Sequence, residues 1–434
     1  MRRRSDVLTA RHHLASGRHA RSDRGYGRRS ADTSGAPPES RAPGVLTDRQ
    51  VAHDVSQRSP RGLHDVCRVA VVGTLVVAAG GGGDAITGSA LAGPLGLHEP
   101  PVVMTYSWDR LMIDPLPGPR ATDDFTGLCQ LAPNVLEVLS STEPISPAHS
   151  SLPRLAADLP TRVLLLDPTG GAVQMAAQVS AAAAYFHADI IALIDVGGDA
   201  LTDGSDHGLR SPLADQLALA ACVRTGLPSR LLIAAPGIDG ELPRTTLLAR
   251  LDRLGADQLP DLTGTDLAPV RSVFDWHPSE ASGLLAAAAA GRRGRVAVRD
   301  AGDHIELTAA TPKLFAVTAK KALATTPAAQ LTDSRSLSEA EAIIHKTTGI
   351  SEIRYETDKA TRLRSRRTHF PTSDDLPEID RQAQHAYEHG ADFISIRRLS
   401  ELIGAITLDA FAALSALLAA QRPDCYEPSL YRTH

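Results

Sequence analysis

The most constraining feature of this chain is a set of five short apolar segments, each of which runs directly into a turn rich in glycine or carboxylate residues. These segments end at Asp84, Arg110, Gly171, Asp199 and Glu241. In a parallel α/β sheet the carboxyl ends of the strands lie at one edge, so the five turns should converge on one crevice. We therefore expect the functional site at that edge.

The alternation of β-branched runs with alanine- and leucine-rich stretches predicts a doubly wound α/β fold with a mostly parallel sheet, over residues 65–325. Helical spacing is present over Ala176–Ala188 and Ser211–Gly226, and Ser211 and Pro212 are typical of a helix start. A Gly-Asp turn within residues 293–308 indicates a hairpin that finishes the sheet. Residues 326–434 should form a small, mainly helical C-terminal region.

The N-terminal 64 residues have a different composition from the rest of the chain. They contain thirteen arginines, no lysine and six acidic residues, a net charge of +7. Since the whole chain carries −5, residues 65–434 carry −12. The first segment is expected to be a disordered arginine-rich tail, because it lacks the apolar residues needed for a core. An acidic folded part makes nucleic acid an unlikely partner and leaves a small molecule as the expected one.

Cysteine usage and hydropathy indicate a cytoplasmic protein. The four cysteines are widely separated and form neither CxxC pairs nor a zinc-binding pattern. The arginine-rich N-terminus is not followed by the apolar stretch of a signal peptide. The apolar run from Val69 to Ala79 is too short to span a bilayer, so no membrane interaction is expected.

The glycine tract Gly80, Gly81, Gly82 and Gly83 follows the first predicted strand and precedes a predicted helix. Backbone N–H groups at such a helix start favour an anion, so we expect the tract to hold a phosphate or cofactor. It matches the dinucleotide pattern only loosely, and the lysine of a nucleotide-binding P-loop is missing. A close crossing of helix and strand is the structural alternative.

The turn after the second strand provides further candidates for ligand binding. Asp84 is either a helix cap or a ligand of ribose, an amine or a metal-bridged phosphate. Asp109 and Arg110 stand where a dinucleotide fold places its ribose-binding acid, and Trp108 either stacks on a flat ring or fills the core. Arg120 ends a proline-stiffened loop from which it could pair with an anionic substrate.

The fourth and fifth turns contain the candidate catalytic acids. Asp195 and Asp199 flank Gly197 and Gly198, which we assign to cofactor binding, and acids this close require either a cation such as Mg²⁺ or exposure to solvent. Asp239 and Glu241 are either paired carboxylates for acid–base chemistry or parts of an Asp-Gly turn. We add Ser211 and Glu280 as substrate-binding candidates, and His277 as a further polar group near Glu280.

Five motifs together resemble an uncharacterised family of actinobacterial and archaeal proteins, a domain of unknown function: GGGGD, SWDRLMIDPLPGPR, DVGGDAL, SPLAD and APGIDGEL. The resemblance runs from Val66 to Phe315 and continues through the segment SLSEAEAIIHKTTGISEI. It implies a Rossmann-like α/β core and carries no reaction with it.

Three functions are compatible with these residues. The first is a hydrolase or transferase of specialised metabolism that acts on a phosphorylated or nucleoside-type small molecule, with a divalent metal such as Mg²⁺ or a nucleotide as candidate cofactor. The second is an NAD(P)-dependent oxidoreductase, although no Tyr/Lys or His/Asp set for hydride transfer is evident. The third is a protein that senses a nucleotide without turning it over.

Overall fold

A computed structural model describes residues 73–91, 101–298, 304–363 and 366–434 of the chain. The predicted tail of residues 1–64 lies outside the described residues.

The described residues form sixteen strands in three sheets. The strands are β1 (Gly73–Ala78), β2 (Val102–Thr105), β3 (Phe125–Thr126), β4 (Cys129–Ala132), β5 (Val135–Val138), β6 (Glu143–Pro144), β7 (Arg162–Leu165), β8 (Ala188–Val196), β9 (Ser229–Ala234), β10 (Asp257–Leu259), β11 (Gly294–Ala297), β12 (His304–Leu307), β13 (Leu314–Thr318), β14 (Phe393–Ser395), β15 (Tyr426–Glu427) and β16 (Leu430–Arg432).

Thirteen α-helices connect or cover these strands in the described part of the chain. They are α1 (Gly82–Leu91), α2 (Leu152–Asp158), α3 (Gly171–Tyr185), α4 (Pro212–Arg224), α5 (Arg244–Leu254), α6 (Gly264–Leu267), α7 (Glu280–Ala289), α8 (Ala319–Leu323), α9 (Leu337–Thr348), α10 (Glu352–Leu363), α11 (Leu376–Glu388), α12 (Ile396–Ile403) and α13 (Leu408–Gln421).

The largest sheet has nine strands in the order β10-β13-β9-β8-β1-β2-β7-β5-β4. Its five central strands, β7, β2, β1, β8 and β9, run parallel, and the outer strands on both sides are antiparallel. The prediction of a mostly parallel α/β sheet is therefore confirmed. The two strands of the predicted hairpin, β11 and β12, pair antiparallel, and its Gly-Asp turn lies outside the described residues. This pair belongs to a second sheet, and β13 and β10 finish the large sheet instead.

Helices cover both faces of the large sheet. Successive side chains of β1 point to opposite faces of the sheet. Leu75 and Val77 pack in one apolar cluster with α3 and α4, and Val76 and Ala78 pack in another with α1, α2 and α7. Both faces of the parallel strands are thus buried, as expected for strands without polar alternation.

The C-terminal part of the chain contributes to more than one layer. Helices α8 and α9 pack against the cluster formed by α3 and α4. Strand β14 pairs in parallel with β11 in the second sheet, whose order is β12-β11-β14-β16-β15, and α11, α12 and α13 cover it with a third apolar cluster. The boundary at residue 325 between a core domain and a C-terminal region stays a prediction.

In the described part of the chain, no single helix is both long enough and apolar enough to span a membrane. The helices α12 and α13, bent by 111° at their junction, meet the length and composition criteria only as a pair.

Helix α1 crosses the large sheet at very close range. A Cβ atom added to Gly88 would lie 3.1 Å from Cγ1 of Val76 and 3.7 Å from Cγ2 of Val103. Since both valines belong to strands of a tightly packed sheet, they have little room to move away. The close helix–strand crossing considered for the Gly80–Gly83 tract is thus found one turn later, at Gly88.

We expect Gly88→Val to lower the free energy of unfolding by about 1–3 kcal/mol, because the added methyl groups overpack the α1–β1 contact. Urea denaturation measures the change. Ala184→Val is the matched control, since Ala184 is exposed on α3 and the same side chain there costs only helix propensity. Equal stability of the two variants would contradict the close crossing.

Candidate functional site

The order of the parallel strands places a crevice beside β1. From β1 the chain proceeds through β2 to β7 on one side, and then returns to β8 and β9 on the other side. The helices that follow β1 and β8, α1 and α4, cover opposite faces of the sheet. Loops that separate in this way leave an open crevice at the carboxyl ends of the strands, where ligands of α/β proteins bind.

A cavity of about 110 Å³ lies in this crevice. Four of the five predicted turns contribute to its lining; the turn after β7, which ends at Gly171, does not. The cavity is lined by ten carboxyl side chains and two guanidinium groups: Asp84, Asp109, Asp195, Asp199, Asp215, Asp239, Glu241, Glu280, Glu352, Glu356, Arg110 and Arg397. Such an excess of buried negative charge is unfavourable without a bound cation or protonation.

Three of these carboxylates form a compact group in the cavity wall. One oxygen each of Asp84, Asp195 and Asp215 lies within 4.8 Å of the other two. Asp84 is in the first turn of α1, Asp195 is near the end of β8, and Asp215 is in the first turn of α4. We call these three residues the carboxylate triad.

Backbone N–H groups hold two members of the carboxylate triad in place. The N–H of Gly80 donates to Oδ2 of Asp84 at 2.9 Å. The N–H groups of Gly198 and Ala200 donate to the two oxygens of Asp195, each at 3.0 Å. The orientation of both carboxylates is therefore determined by main chain rather than by mobile side chains.

The carboxylate triad has the chemistry of a site for a hard divalent cation. Carboxylate oxygens are the ligands that Mg²⁺, Mn²⁺ and Ca²⁺ prefer. Two oxygens on one octahedral Mg²⁺ lie about 3–4 Å apart, so a small inward movement of the triad would suffice for coordination. Asp84, which sequence reasoning left between a cap and a metal-bridging ligand, has both a capping contact and a place in this group.

Burial raises the pKa of the triad and of its neighbours. It raises the pKa of Asp195 to about 7, with the nearby Asp239 adding to the effect. Burial, followed by charge repulsion from Asp195, raises the pKa values of Asp84 and Asp215 well above the usual range. The pKa of Asp199 is raised in the same way by burial and then by Asp215. Asp195 therefore exchanges its proton near neutral pH when no cation is present.

Two further acids, Asp239 and Glu241, line the same cavity as the carboxylate triad. Glu241 accepts hydrogen bonds from the N–H of Arg210 at 2.8 Å and from the hydroxyl of Ser211 at 2.7 Å. It therefore anchors the start of α4, and Ser211 is bound to Glu241 while lining the cavity. Asp239 accepts from the N–H of Glu241 at 3.0 Å, as in an Asp-Gly turn, and lines the cavity as well.

The glycines after β8 shape the cavity without lining it. Gly197 has φ +128°, and a Cβ atom there would lie 2.2 Å from Oδ2 of Asp239. Gly198 has φ +106° and packs against Leu247 and Ile233. Both positions thus allow Asp239 and α5 to approach β8, rather than contacting a cofactor from the cavity wall.

The glycine tract places a helix N-terminus at the cavity. Gly80, Gly82 and Gly83 line the cavity, whereas Gly81 lies behind it. With φ +99°, Gly81 turns the chain from β1 into α1 and passes close to the carbonyl of Trp108. The first N–H groups of α1, at Gly82 and Gly83, are the ones that no intrahelical carbonyl can accept. They are suited to an anion.

His277 lies beside this helix start as a neutral imidazole. Burial lowers the pKa of His277 to about 3, assisted by Arg397 and Arg154. Its Nδ1 accepts from the N–H of Ser279 at 3.2 Å, so the proton of the neutral ring is on Nε2. That Nε2 is buried and has no hydrogen-bond partner among the described residues, and His277 lines the cavity.

Trp108 and Asp109, which follow β2, line the cavity and also form hydrogen bonds with other parts of the chain. Asp109 accepts from the N–H and the hydroxyl of Ser151, at 2.9 and 2.6 Å, and burial raises its pKa to about 6. The indole N–H of Trp108 donates to Glu356 at 3.2 Å, and its ring meets Tyr106 edge to face.

Two predicted substrate-binding residues have different positions. Arg120 lies outside the cavity: it forms an ion pair with Asp114 at 2.9 Å and donates to the carbonyls of Pro117 and Gly118, so it stabilises its own loop. Glu280 lines the cavity and accepts a short hydrogen bond from the hydroxyl of Ser395.

Sequence reasoning missed four charged residues of the cavity: Asp215, Glu352, Glu356 and Arg397. Asp215 lies within the SPLAD motif, and its signal is the single acid of a mainly apolar helix, placed in the first turn. Glu352 and Glu356 were overlooked because they lie outside the five turns. Glu352 accepts from the N–H of Leu213 at 3.1 Å, which brings the start of α10 to the start of α4.

The raised pKa values predict that the metal-free protein loses stability as pH rises. Unfolded carboxyl groups titrate near pH 4, whereas Asp195 and Glu352 titrate at about 7 and about 8 in the folded state. The folded state therefore binds more protons between these values, and the free energy of unfolding should fall by about 6 kcal/mol from about pH 5 to about pH 8. Thermal unfolding with a chelator measures this. Added Mg²⁺ should restore stability mainly at the higher pH.

Variants test whether the carboxylate triad causes this behaviour. Asp215→Asn should raise the metal-free melting temperature at about pH 8, because one of several mutually repelling carboxyl groups is replaced by a neutral amide, and should abolish the stabilisation by Mg²⁺. Asp189→Asn, at the exposed beginning of β8, should behave like the unmodified protein. A melting temperature that is flat or rises over this pH range would contradict the assignment.

Comparison with known proteins identifies the family of the chain. A family model described as a protein of unknown function, DUF1152, matches residues 75–360. Searches of curated proteins and of solved structures gave no match. The matched range includes every cavity-lining residue except Arg397. The predicted resemblance to a domain of unknown function is thus confirmed: the chain belongs to the DUF1152 family.

Proposed function

We propose that the protein is a cytoplasmic, divalent-metal-dependent enzyme that hydrolyses or transfers a group of a phosphorylated or nucleoside-type small molecule. The observation that carries this proposal is the convergence of Asp84, Asp195 and Asp215 beside the N-terminus of α1. A cation site next to an anion-binding helix start is the arrangement that phosphate chemistry requires.

Electrostatics supports an anionic substrate despite the many acids of the cavity. Helices α1 and α7 begin at residues that line the cavity, and α4 begins directly after the lining residue Ser211, so the positive dipole ends of all three face the cavity. Arg110 and Arg397 add two permanent positive charges. A phosphate would be held by the N–H groups of Gly82 and Gly83, with His277 as a neutral donor at the same wall.

The carboxylate triad would hold one divalent cation through one oxygen of each residue. Bound there, the cation would neutralise phosphate charge and activate a water molecule or a leaving group. The main-chain contacts of Asp84 and Asp195 would keep these ligands oriented before the substrate arrives.

We assign proton transfer to Asp199. It is buried, lines the cavity and has a raised pKa, as a general acid or base acting near neutral pH requires. Glu241 accepts hydrogen bonds from the N–H of Arg210 and the hydroxyl of Ser211, so it is better suited to holding the start of α4 than to exchanging protons.

The strand order also supports a Rossmann-like relationship, and with it the alternative of an NAD(P)-dependent oxidoreductase. The five parallel strands, counted along the chain, lie in the order third, second, first, fourth, fifth, as in dinucleotide-binding folds. One observation favours the first proposal over this one: Asp109, the candidate ribose-binding acid, is already bonded to Ser151.

A panel of ligands tests the proposal. Purified protein is incubated with nucleotides, sugar phosphates and dinucleotides, with Mg²⁺ or with a chelator, and is followed by thermal shift and product analysis. We expect Mg²⁺-dependent stabilisation by phosphorylated compounds and formation of product. Stabilisation without product would favour a nucleotide sensor, and stabilisation by dinucleotides without Mg²⁺ would favour the oxidoreductase.

Asp199→Asn should lower turnover by about 100-fold or more, because the proton-exchanging carboxyl group is lost, while Mg²⁺ still stabilises the protein. Asp203→Asn is the matched control, since Asp203 follows in the same loop but is paired with Arg250 at 2.7 Å, outside the cavity. Turnover that survives Asp199→Asn would show that Asp199 is not the proton-transfer group.

A further inference from the structure

A second cavity adjoins the carboxylate-lined one and has the opposite charge. Its volume is about 340 Å³, and its cationic residues are Arg110, Lys359, Arg366, Arg397 and Arg398, against two acids. We call it the distal groove.

The distal groove also has apolar walls. Met112, Leu363, Leu402 and Ile406 line it together with the cations. Met112 and Leu402 belong to different parts of the chain, the loop after β2 and helix α12. Inorganic phosphate alone would leave these apolar side chains without a partner, so they indicate a ligand with an apolar part.

The two cavities share a wall. Arg110, Glu356 and Arg397 line both of them. Helix α10 extends along this wall, because Glu352, Glu356, Lys359 and Leu363 are spaced by three or four residues and lie on one helix face. The acids at the beginning of α10 face the carboxylate triad, and Lys359 and Leu363 line the distal groove.

Basic residues continue beyond the distal groove on the same helix. A neighbouring depression is lined by Arg210, Arg362 and Arg366 together with Tyr355 and Lys359. Positive charge therefore extends from Arg110 along the second half of α10. Such a concentration of positive charge attracts an anionic group toward the distal groove.

We propose that the substrate is an amphiphilic molecule with two anionic groups: a phosphate that enters the carboxylate-lined cavity, an apolar body in the distal groove, and a second anionic group that pairs with Lys359 and Arg366. The inference rests on the proposed function for the position of the first phosphate. It adds the substrate class, which the carboxylate triad alone does not specify.

Three probes of increasing size test the proposal: inorganic phosphate, hexyl phosphate and hexanediol bisphosphate. Their affinities for the full-length protein with Mg²⁺ are measured by isothermal titration calorimetry. We expect the hexyl chain to increase affinity about tenfold through burial of apolar surface. The second phosphate should add about another tenfold through charge-assisted hydrogen bonds.

Variants of the distal groove separate the gain in affinity from the hexyl chain from the gain due to the second phosphate. The double variant Lys359→Gln/Arg366→Gln should lose the gain from the second phosphate and retain the gain from the chain. Leu363→Asp should lose the gain from the chain. Arg354→Gln is the matched control, because Arg354 is exposed on α10 and lines neither cavity. All variants should bind inorganic phosphate like the unmodified protein.

The outcomes distinguish the two proposals. Equal affinity of the unmodified protein for all three probes, with phosphate binding intact, would overturn the distal groove as a substrate site and leave the proposed function standing. Failure of inorganic phosphate to bind in the presence of Mg²⁺ would overturn the proposed function itself. A gain from the second phosphate that persists in the double variant would overturn the roles of Lys359 and Arg366.

Discussion

Repulsion among buried carboxylates is the constraint on which the rest of this structure depends. Ten carboxyl groups line one cavity, and the pKa values of Asp84, Asp195 and Asp215 are raised by burial first and by repulsion from neighbouring carboxylates second. Such an arrangement is unfavourable for folding and is retained in proteins where function needs it. Protonation relieves it at low pH, and a divalent cation would relieve it at neutral pH.

The fold compensates part of this repulsion through its main chain. The N–H groups of Gly80, Gly198 and Ala200 donate to two of the triad carboxylates, and the N-termini of α1 and α4 add positive partial charge. Elsewhere the compensation is ionic, as where Arg250 pairs with Asp203 and Asp206. Cation pairing thus neutralises Asp203 and Asp206 outside the cavity, whereas main-chain donors orient Asp84 and Asp195 inside it.

Helix α10 connects the carboxylate-lined cavity with the distal groove. Its first residue, Glu352, caps the start of α4, and Glu356 accepts from Trp108 and from the N–H of Gly118. These contacts fix the helix against three separate parts of the chain, so the position of Lys359 and Leu363 in the groove depends on the acids one and two turns earlier. The same helix therefore contributes acidic residues to the lining of the first cavity and a basic residue, Lys359, to the lining of the distal groove.

Local sequence determined the strand ends and the turns that follow them. Apolar runs that end in glycine and acid indicated a parallel sheet with one functional edge, and Asp84, Asp109, Asp195, Asp199, Asp239 and Glu241 do meet there, because parallel strands deliver their carboxyl ends to the same side. Tertiary structure alone decided the remainder. Asp215, Glu352 and Arg397 come from helices whose rotation and docking depend on packing far along the chain. The same packing directs Arg120 into its own loop and brings Gly197 against Asp239. The partner of a charged side chain and the direction in which that side chain points depend on residues that are distant in sequence. Local sequence patterns carry no information about those residues.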